Sequence, residues 1–176
     1  MSPMTDDQLQ PVTAADASPA APLAKTLLAL NNAHAAQLSW LEPERLHHLI
    51  GQAFLARRIG NVDAFLLALD HGADYDSPNF LWFRSRYQRF VYVDRIVVAV
   101  SAQGRGYARR LYHDLFERAV QAGHGQVFCE INSSPPNPQS DAFHAALGFA
   151  EVGSASIHDG RTVRYLSRQL TKSPAI

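Results

Sequence analysis

Apolar positions along the chain fall into blocks whose period switches between that of a helix and that of a strand. "PLAKTLLALNNAHAAQ" places Leu23, Leu27, Leu30 and then Ala33 or His34 at three- and four-residue spacing, which predicts a helix from about Pro22. "SWLEPERLHHLIGQ" predicts a second, short helix. Pro43 suits its first turn, Leu46, Leu49 and Ile50 share a face, and Gly51 is expected to stop it. Ahead of both, Leu9 to Val12 ("LQPV") has the make-up of a short first strand. "QAFLARRI" and "VDAFLLALDHG" flank Gly60-Asn61 and predict a hairpin. "ADYDSPNFLWFRSRYQ" mixes turn formers with aromatics and reads as a long structured connection, a length at which loops often carry function. "RFVYVDRIVVAV" is dense in β-branched and aromatic residues and predicts a long strand.

"GRGYARRLYHDLFERAVQAG" is the clearest helix, with a stripe of Ala108, Leu111, Tyr112, Leu115, Phe116 and Ala119. An apolar strand "QVFCEI", a proline-rich turn "NSSPPNP" and a helix "QSDAFHAAL" closed by Gly148 follow. "FAEVGSASI", a turn at "HDGR" and "TVRYLSRQL" predict a last hairpin. Strand, helix, strand between residues 90 and 131 implies a parallel pair joined by a right-handed crossover, with antiparallel hairpins on both sides. The expected organisation is one domain over residues 9–170, a flexible start over 1–8 and a tail over 171–176.

Composition narrows the classes. Of 176 residues, 47% are apolar and 18% charged, and acidic and basic residues balance at 16 each. Without a basic excess the chain lacks the bulk field of nucleic-acid binders. Arg84, Arg86 and Arg89 alternate with Trp82, Phe83, Tyr87 and Phe90 in a pattern able to stack on bases. Neutrality nevertheless argues against a nucleic-acid partner. The lone Cys129 excludes an internal disulfide and a zinc-type cysteine cluster, and its apolar strand makes it an inert core thiol. No metal is expected, since His47-His48 lack a third ligand nearby. The start carries Asp6 and Asp7 and neither Lys nor Arg, and no run approaches a membrane span, so a cytoplasmic chain without a membrane partner is expected.

The candidate chemistry begins at "VSAQGRGYARRLY". A strand that enters a glycine turn and then a helix leaves unpaired N–H groups at the positive end of the helix dipole, which suits phosphate. Tyr107-Ala108 does not supply the Lys-Ser/Thr of a P-loop, and Arg109 stands where a dinucleotide fingerprint needs a small residue. The run "QGRGYA" instead matches Gln/Arg-x-x-Gly-x-Gly/Ala through Gln103, Gly106 and Ala108.

On these residues the chain resembles the GCN5-related N-acetyltransferase (GNAT) superfamily, and the likeness runs from about Leu9 to Leu170. "NPQSDAFHAALGF" is similar to that family's Asn-x-x-Ala, aromatic, Gly-Phe pattern, with Ser140 at the usual alanine and His144 where tyrosine is common. The resemblance implies an α/β fold, a mixed and mostly antiparallel sheet of about seven strands covered by helices. It also implies a parallel strand pair splayed at the cofactor cleft. The implied cosubstrate is acetyl-CoA. Gln103, Gly104, Arg105, Gly106, Tyr107 and Ala108 would hold its pyrophosphate, Ile96, Val97 and Val98 its pantetheine amides, and Asn137 with Ser140 its arm. An N–H near Val98 would hold the thioester carbonyl.

Acetylating an amine requires a neutral nucleophile, a donor for the oxyanion and a proton or hydrogen bond for the leaving thiolate. On the match His144 is the candidate acid, with Phe143 turned to the core. Asp94, Glu130 and the group Asn31, Asn32 and His34 compete for the base. Asp94 lies four residues before Val98, which strand alternation puts on one face, and Glu130 interrupts "VFCEI". Pairing with Arg95 or Arg164 is the structural alternative for either carboxylate, and a helix-end cap the alternative for His34. Asn31, Asn32 and His34 close the first helix, where the family often builds its acceptor pocket. Tyr75 and Trp82 would add to that pocket beside Asp74 and Asp76. The sequence therefore reads as an acetyl-CoA-dependent N-acetyltransferase acting on a primary amine by direct attack. A non-catalytic acyl-CoA sensor module is the alternative. The last hairpin offers an edge for a second copy in a homodimer.

Overall fold

The computed structural model describes residues 7–157 and 160–171. The predicted turn residues His158 and Asp159 lie outside them, as do most of the expected flexible start and tail. In chain order the elements are β1 (Leu9–Pro11), α1 (Pro22–Ala33), α2 (Pro43–Gln52), β2 (Leu55–Ile59), β3 (Ala64–Asp70), α3 (Pro78–Arg84) and β4 (Val91–Val98). A 3-10 turn at Val100–Ala102 leads to α4 (Tyr107–Gln121), β5 (Gln126–Ser134), α5 (Pro138–Ala146), β6 (Ala150–Ser156) and β7 (Thr162–Gln169). The strands form one seven-stranded sheet in the order β1-β2-β3-β4-β5-β7-β6. Among the described residues only β4 and β5 pair in parallel, and every other neighbouring pair is antiparallel. The mixed, mostly antiparallel architecture is the one the resemblance implied.

Helices cover both faces, which explains why β3 reads as an unbroken apolar run. Phe65, Leu67 and Leu69 pack with Leu27 of α1, Leu46 and Leu49 of α2 and Phe80 and Phe83 of α3. Ala64, Leu66 and Ala68 face the other way, onto Leu111, Tyr112, Leu115 and Phe116 of α4. In α1 the fully buried positions are Ala24, Leu27 and Asn31, while Leu23 and Leu30 sit at the margin of the core.

Three local expectations change. α2 continues through Gly51 to Gln52, because the backbone first turns extended at Ala53. The long aromatic connection contains α3, with Pro78 in its first turn and Phe80 and Phe83 buried one turn apart. Its arginines are used at home: Arg86 donates to Trp82 O at 3.0 Å and Arg89 to Ala122 O at 2.8 Å. The third change matters most for function. Leu67 pairs with Arg95 but Ala68 pairs with Val93, so Asp94 is an extra residue, a β-bulge. Val91 and Val93 therefore face α4, whereas Val97 faces α1–α3 and Val98 lies on the α4 side. Asp94 does not share a face with Val98, because the bulge shifts the alternation by one.

Candidate active site

The parallel ladder between β4 and β5 consists of two partner positions, Val91↔Val127 and Tyr92↔Phe128. Beyond them the strands part. β4 goes on pairing with β3 as far as Val98, and β5 with β7 as far as Ser134, so each keeps one unpaired edge toward the gap. A cavity of about 300 Å³ fills the space, lined by Ile96 of β4, by Cys129, Glu130 and Ile131 of β5, and by Tyr75, Tyr112 and His144. A second hollow of about 470 Å³ lies beside it, lined by Val98, Gln103, Gly104, Gly106, Tyr107, Ala108 and Ser140. Asn137 borders both, so the two are neighbours.

The hollow takes its shape from the glycine turn. Gly104 and Gly106 have φ of +81° and +76°, the left-handed region that side chains resist. Gly106 is the N-cap of α4, and no side chain caps the helix there. First-turn N–H groups have no partner inside a helix, so this end presents unpaired donors where the macrodipole is positive. A Cβ at either glycine would meet no protein atom within 4 Å, so the space beside the turn is open. Arg105 is exposed and outside the lining, while Arg109, which sequence reasoning passed over, belongs to it. Val97 buries its side chain on the opposite face and offers only backbone. The Asn137 side chain accepts the Ser140 N–H at 3.2 Å, which fixes the start of α5 beside the turn.

The two candidate carboxylates differ. Asp94 is fully committed: Tyr75 O–H donates to its Oδ1 at 2.5 Å and Arg95 Nε to its Oδ2 at 2.7 Å. The Asp94 and Arg95 side chains are each 3% exposed, so this is a buried ion pair. Arg95 Nη1 also donates to Asn31 Oδ1 at 2.8 Å, and Asn31 donates in turn to Ser39 O at 3.0 Å. Asn32 exchanges two hydrogen bonds with the Leu41 backbone. Asn31 and Asn32 are thus behind the cavity wall, holding the loop whose Gln37, Leu38 and Ser39 line it. His34 bonds the Leu30 carbonyl and is outside the lining, as is Trp82, which stacks on Tyr165 with centroids 4.1 Å apart.

Among the described residues Glu130 has no cationic partner, because Arg95 pairs with Asp94 and Arg164 with Asp141 and Glu151. Tyr92 O–H donates to its Oε2 at 2.7 Å and Asn79 Nδ2 to its Oε1 at 3.2 Å, while Tyr165 O–H donates to Asn79 Oδ1 at 2.9 Å. Burial, with the nearby Asp94 charge in support, pushes the Glu130 carboxyl up to about 8, against the pull of the Tyr92 and Asn79 bonds. A carboxylate poised near neutral pH in a cavity fits proton abstraction.

His144 is buried at 6% exposure, and Phe143, expected in the core, is half-buried and lines the hollow. His144 Nδ1 lies 2.8 Å from Ser140 O and Nε2 2.9 Å from Tyr112 Oη. Burial lowers its pKa and raises that of Tyr112. Cys129 lines the cavity as a buried thiol whose pKa burial pushes up. Tyr92, Asn79 and Tyr112 were missed by sequence reasoning, which named Arg95 only as an alternative partner for a carboxylate, the pairing found with Asp94. Arg95 and Tyr92 sit in an apolar strand, where a polar side chain must find a partner, and that was the available signal. Among the described residues no group of three or more His, Cys, Asp or Glu could hold a metal, and no helix is long and apolar enough to cross a membrane.

The model of the acetyltransferase (GNAT) family matches residues 31–149. No curated protein matches the chain in sequence. Among solved structures, the ribosomal-protein-S18-alanine N-acetyltransferase of Escherichia coli superposes with a TM-score of 0.67 at 15% identity, over 95% of this chain and 96% of its own. The yncA protein of Salmonella typhimurium, solved with its cofactor acetyl-CoA, gives 0.67 at 16% identity over 98% of each chain. A phosphinothricin acetyltransferase of Sinorhizobium meliloti in complex with AcCoA gives 0.66 at 18%, over 98% of this chain and 92% of its own. At these identities the likeness establishes a shared fold.

Proposed function

The chain belongs to the GNAT acetyltransferase family, and on that premise we propose that it is an N-acetyltransferase that passes the acetyl group of acetyl-CoA directly to a primary amine. The observation that carries this reading is the parting of β4 from β5 beside the glycine turn. It joins a strand edge with free amides to a helix end with free N–H groups. Bound there, acetyl-CoA supplies an acyl group activated as a thioester. The turn from Gln103 to Ala108, with Arg109, holds the pyrophosphate, and Asn137 and Ser140 face the arm from α5. The β4 edge from Ile96 to Val98 pairs with pantetheine amides and offers an N–H to the thioester carbonyl.

Glu130 is the base of this scheme. It takes a proton from the incoming ammonium, so that nitrogen attacks as the free amine. Asp94, ion-paired with Arg95, is a structural anion that fixes Tyr75 and Arg95 in the cavity wall, whereas Glu130 carries no such pair. The His144–Tyr112 pair serves the leaving sulfur. The test is calorimetric titration with coenzyme A, followed by a coloured thiol assay of CoA release over amino acids, small amines and peptides. Binding with amine-dependent release supports the enzyme, binding without release from any amine supports the sensor module, and absence of binding removes the reading.

A further inference from the structure

We propose that Tyr112, rather than His144, is the group that gives its proton to the departing sulfur, and that His144 is the residue that positions it. The inference rests on the acetyl-transfer reading above and assigns roles within it. Its basis is the hydrogen-bond direction at His144. Nδ1 is 2.8 Å from the Ser140 carbonyl, which only accepts, so Nδ1 carries the hydrogen. A neutral imidazole has a single N–H, so Nε2 presents a lone pair, and the Tyr112 hydroxyl 2.9 Å away donates to it. At 6% exposure the neutral ring is the favoured form. Such a histidine has no proton left for a ligand.

Tyr112 has one, on a hydroxyl that can rotate. It lines the cavity from α4 together with Ile96, Cys129 and Ile131 of the two parted strands.

The amine nitrogen forms its bond to the carbonyl carbon, the carbon–sulfur bond breaks with its electron pair going to sulfur, and the Tyr112 O–H swings from His144 Nε2 to that sulfur and delivers its proton. Nitrogen loses two protons in all, the ammonium proton before attack and a second after it, and Glu130 passes each to solvent. One solvent proton restores Tyr112, so a single proton is released per turnover. A free tyrosine is already a weaker acid than a thiol, roughly 10 against 8.5, and burial raises Tyr112 further, so the O–H acts first as a hydrogen-bond donor to the sulfur and transfer completes late.

Three variants test this: Tyr112→Phe, His144→Gln and His144→Phe, each read by kcat and by calorimetric CoA affinity. Tyr112→Phe is expected to lower kcat by about a hundredfold while CoA affinity stays within about twofold. His144→Gln keeps an amide oxygen for the Tyr112 hydroxyl and should stay within about tenfold of wild type, whereas His144→Phe should fall close to Tyr112→Phe. The wild-type kcat should show no descending limb between about pH 6 and 9, where an imidazolium acid would be lost. Wild-type kcat in Tyr112→Phe, equal damage from both His144 variants, or a descending limb overturns the proposal. If Tyr112→Phe does not fold, the two His144 variants and the pH profile decide. A wild-type protein that binds CoA and turns over an amine separates failure of this assignment from failure of the acetyl-transfer reading, which no turnover with any amine would overturn.

Discussion

Replacing Glu130 with glutamine gives a result that can be read without knowing the acceptor. The Glu130 carboxyl stands at about 8 in the folded chain against an ordinary 4.5. Between those values the folded chain keeps a proton that the unfolded chain has released. The stability it carries is present below pH 4.5 and is lost as the pH rises through 8. The slope is about 1.4 kcal/mol per pH unit, so from about pH 6.5 to 8 the wild type should lose about 2 kcal/mol through this group. His124 and His144, whose pKa values are lowered in the folded chain, are present in both proteins and cancel in the comparison. Glutamine is neutral throughout. It keeps an acceptor for Tyr92 but loses the second oxygen that Asn79 uses, a cost that does not vary with pH. Urea unfolding at both pH values should show the variant gaining about 2 kcal/mol on the wild type as pH rises. A difference between the two proteins that stays constant across the window refutes the argument. Wild-type kcat/KM should rise with pH toward a limb near 8, and the variant should lose that limb and about 10²–10⁴ in rate.

Two further outcomes concern the frame. His124 is buried, with no partner for Nδ1 among the described residues, beside Phe54 and His71, with Arg89 and Asp70 as the charges near it. Its lowered pKa means that stability falls as pH drops below 6.5, and His124→Phe should flatten part of that decline in thermal unfolding. Gly153 lies under Trp82, and a Cβ there would stand 2.5 Å from Cζ2 of a ring held between Tyr165 and Arg86. Gly153→Ala should therefore cost about 1–3 kcal/mol in chemical unfolding.

Much of the frame was legible because it is written in periodicity. The stripe of α4, the Pro-started helices α1 and α2 and the strand–turn–helix at the glycines all follow from local spacing. The lining of the glycine hollow was legible too, since positive-φ positions and helix ends are local properties. What stayed hidden depends on partners far along the chain. The bulge at Asp94 exists only in register with Leu67 and Ala68, and it moves Asp94 off the face that simple alternation assigns. Asn31 and Asn32 look like pocket residues until the 37–41 loop folds back onto them. The pairing of His144 with Tyr112 spans 32 residues and two helices, so neither spacing nor composition announces it. α3 was hidden by its seven-residue length and its turn-forming lead-in.

The central claim is that freed peptide N–H groups around Gly106 receive the diphosphate of coenzyme A. Isothermal titration of the folded protein with coenzyme A, repeated on Gly106→Val, addresses it directly, with thermal unfolding to establish that the variant is folded. A valine there puts a side chain into open space at a backbone φ of +76°, and the account predicts wild-type binding and a loss of at least about tenfold in the variant. Coenzyme A that does not bind the wild type, or binds both proteins equally, would contradict it.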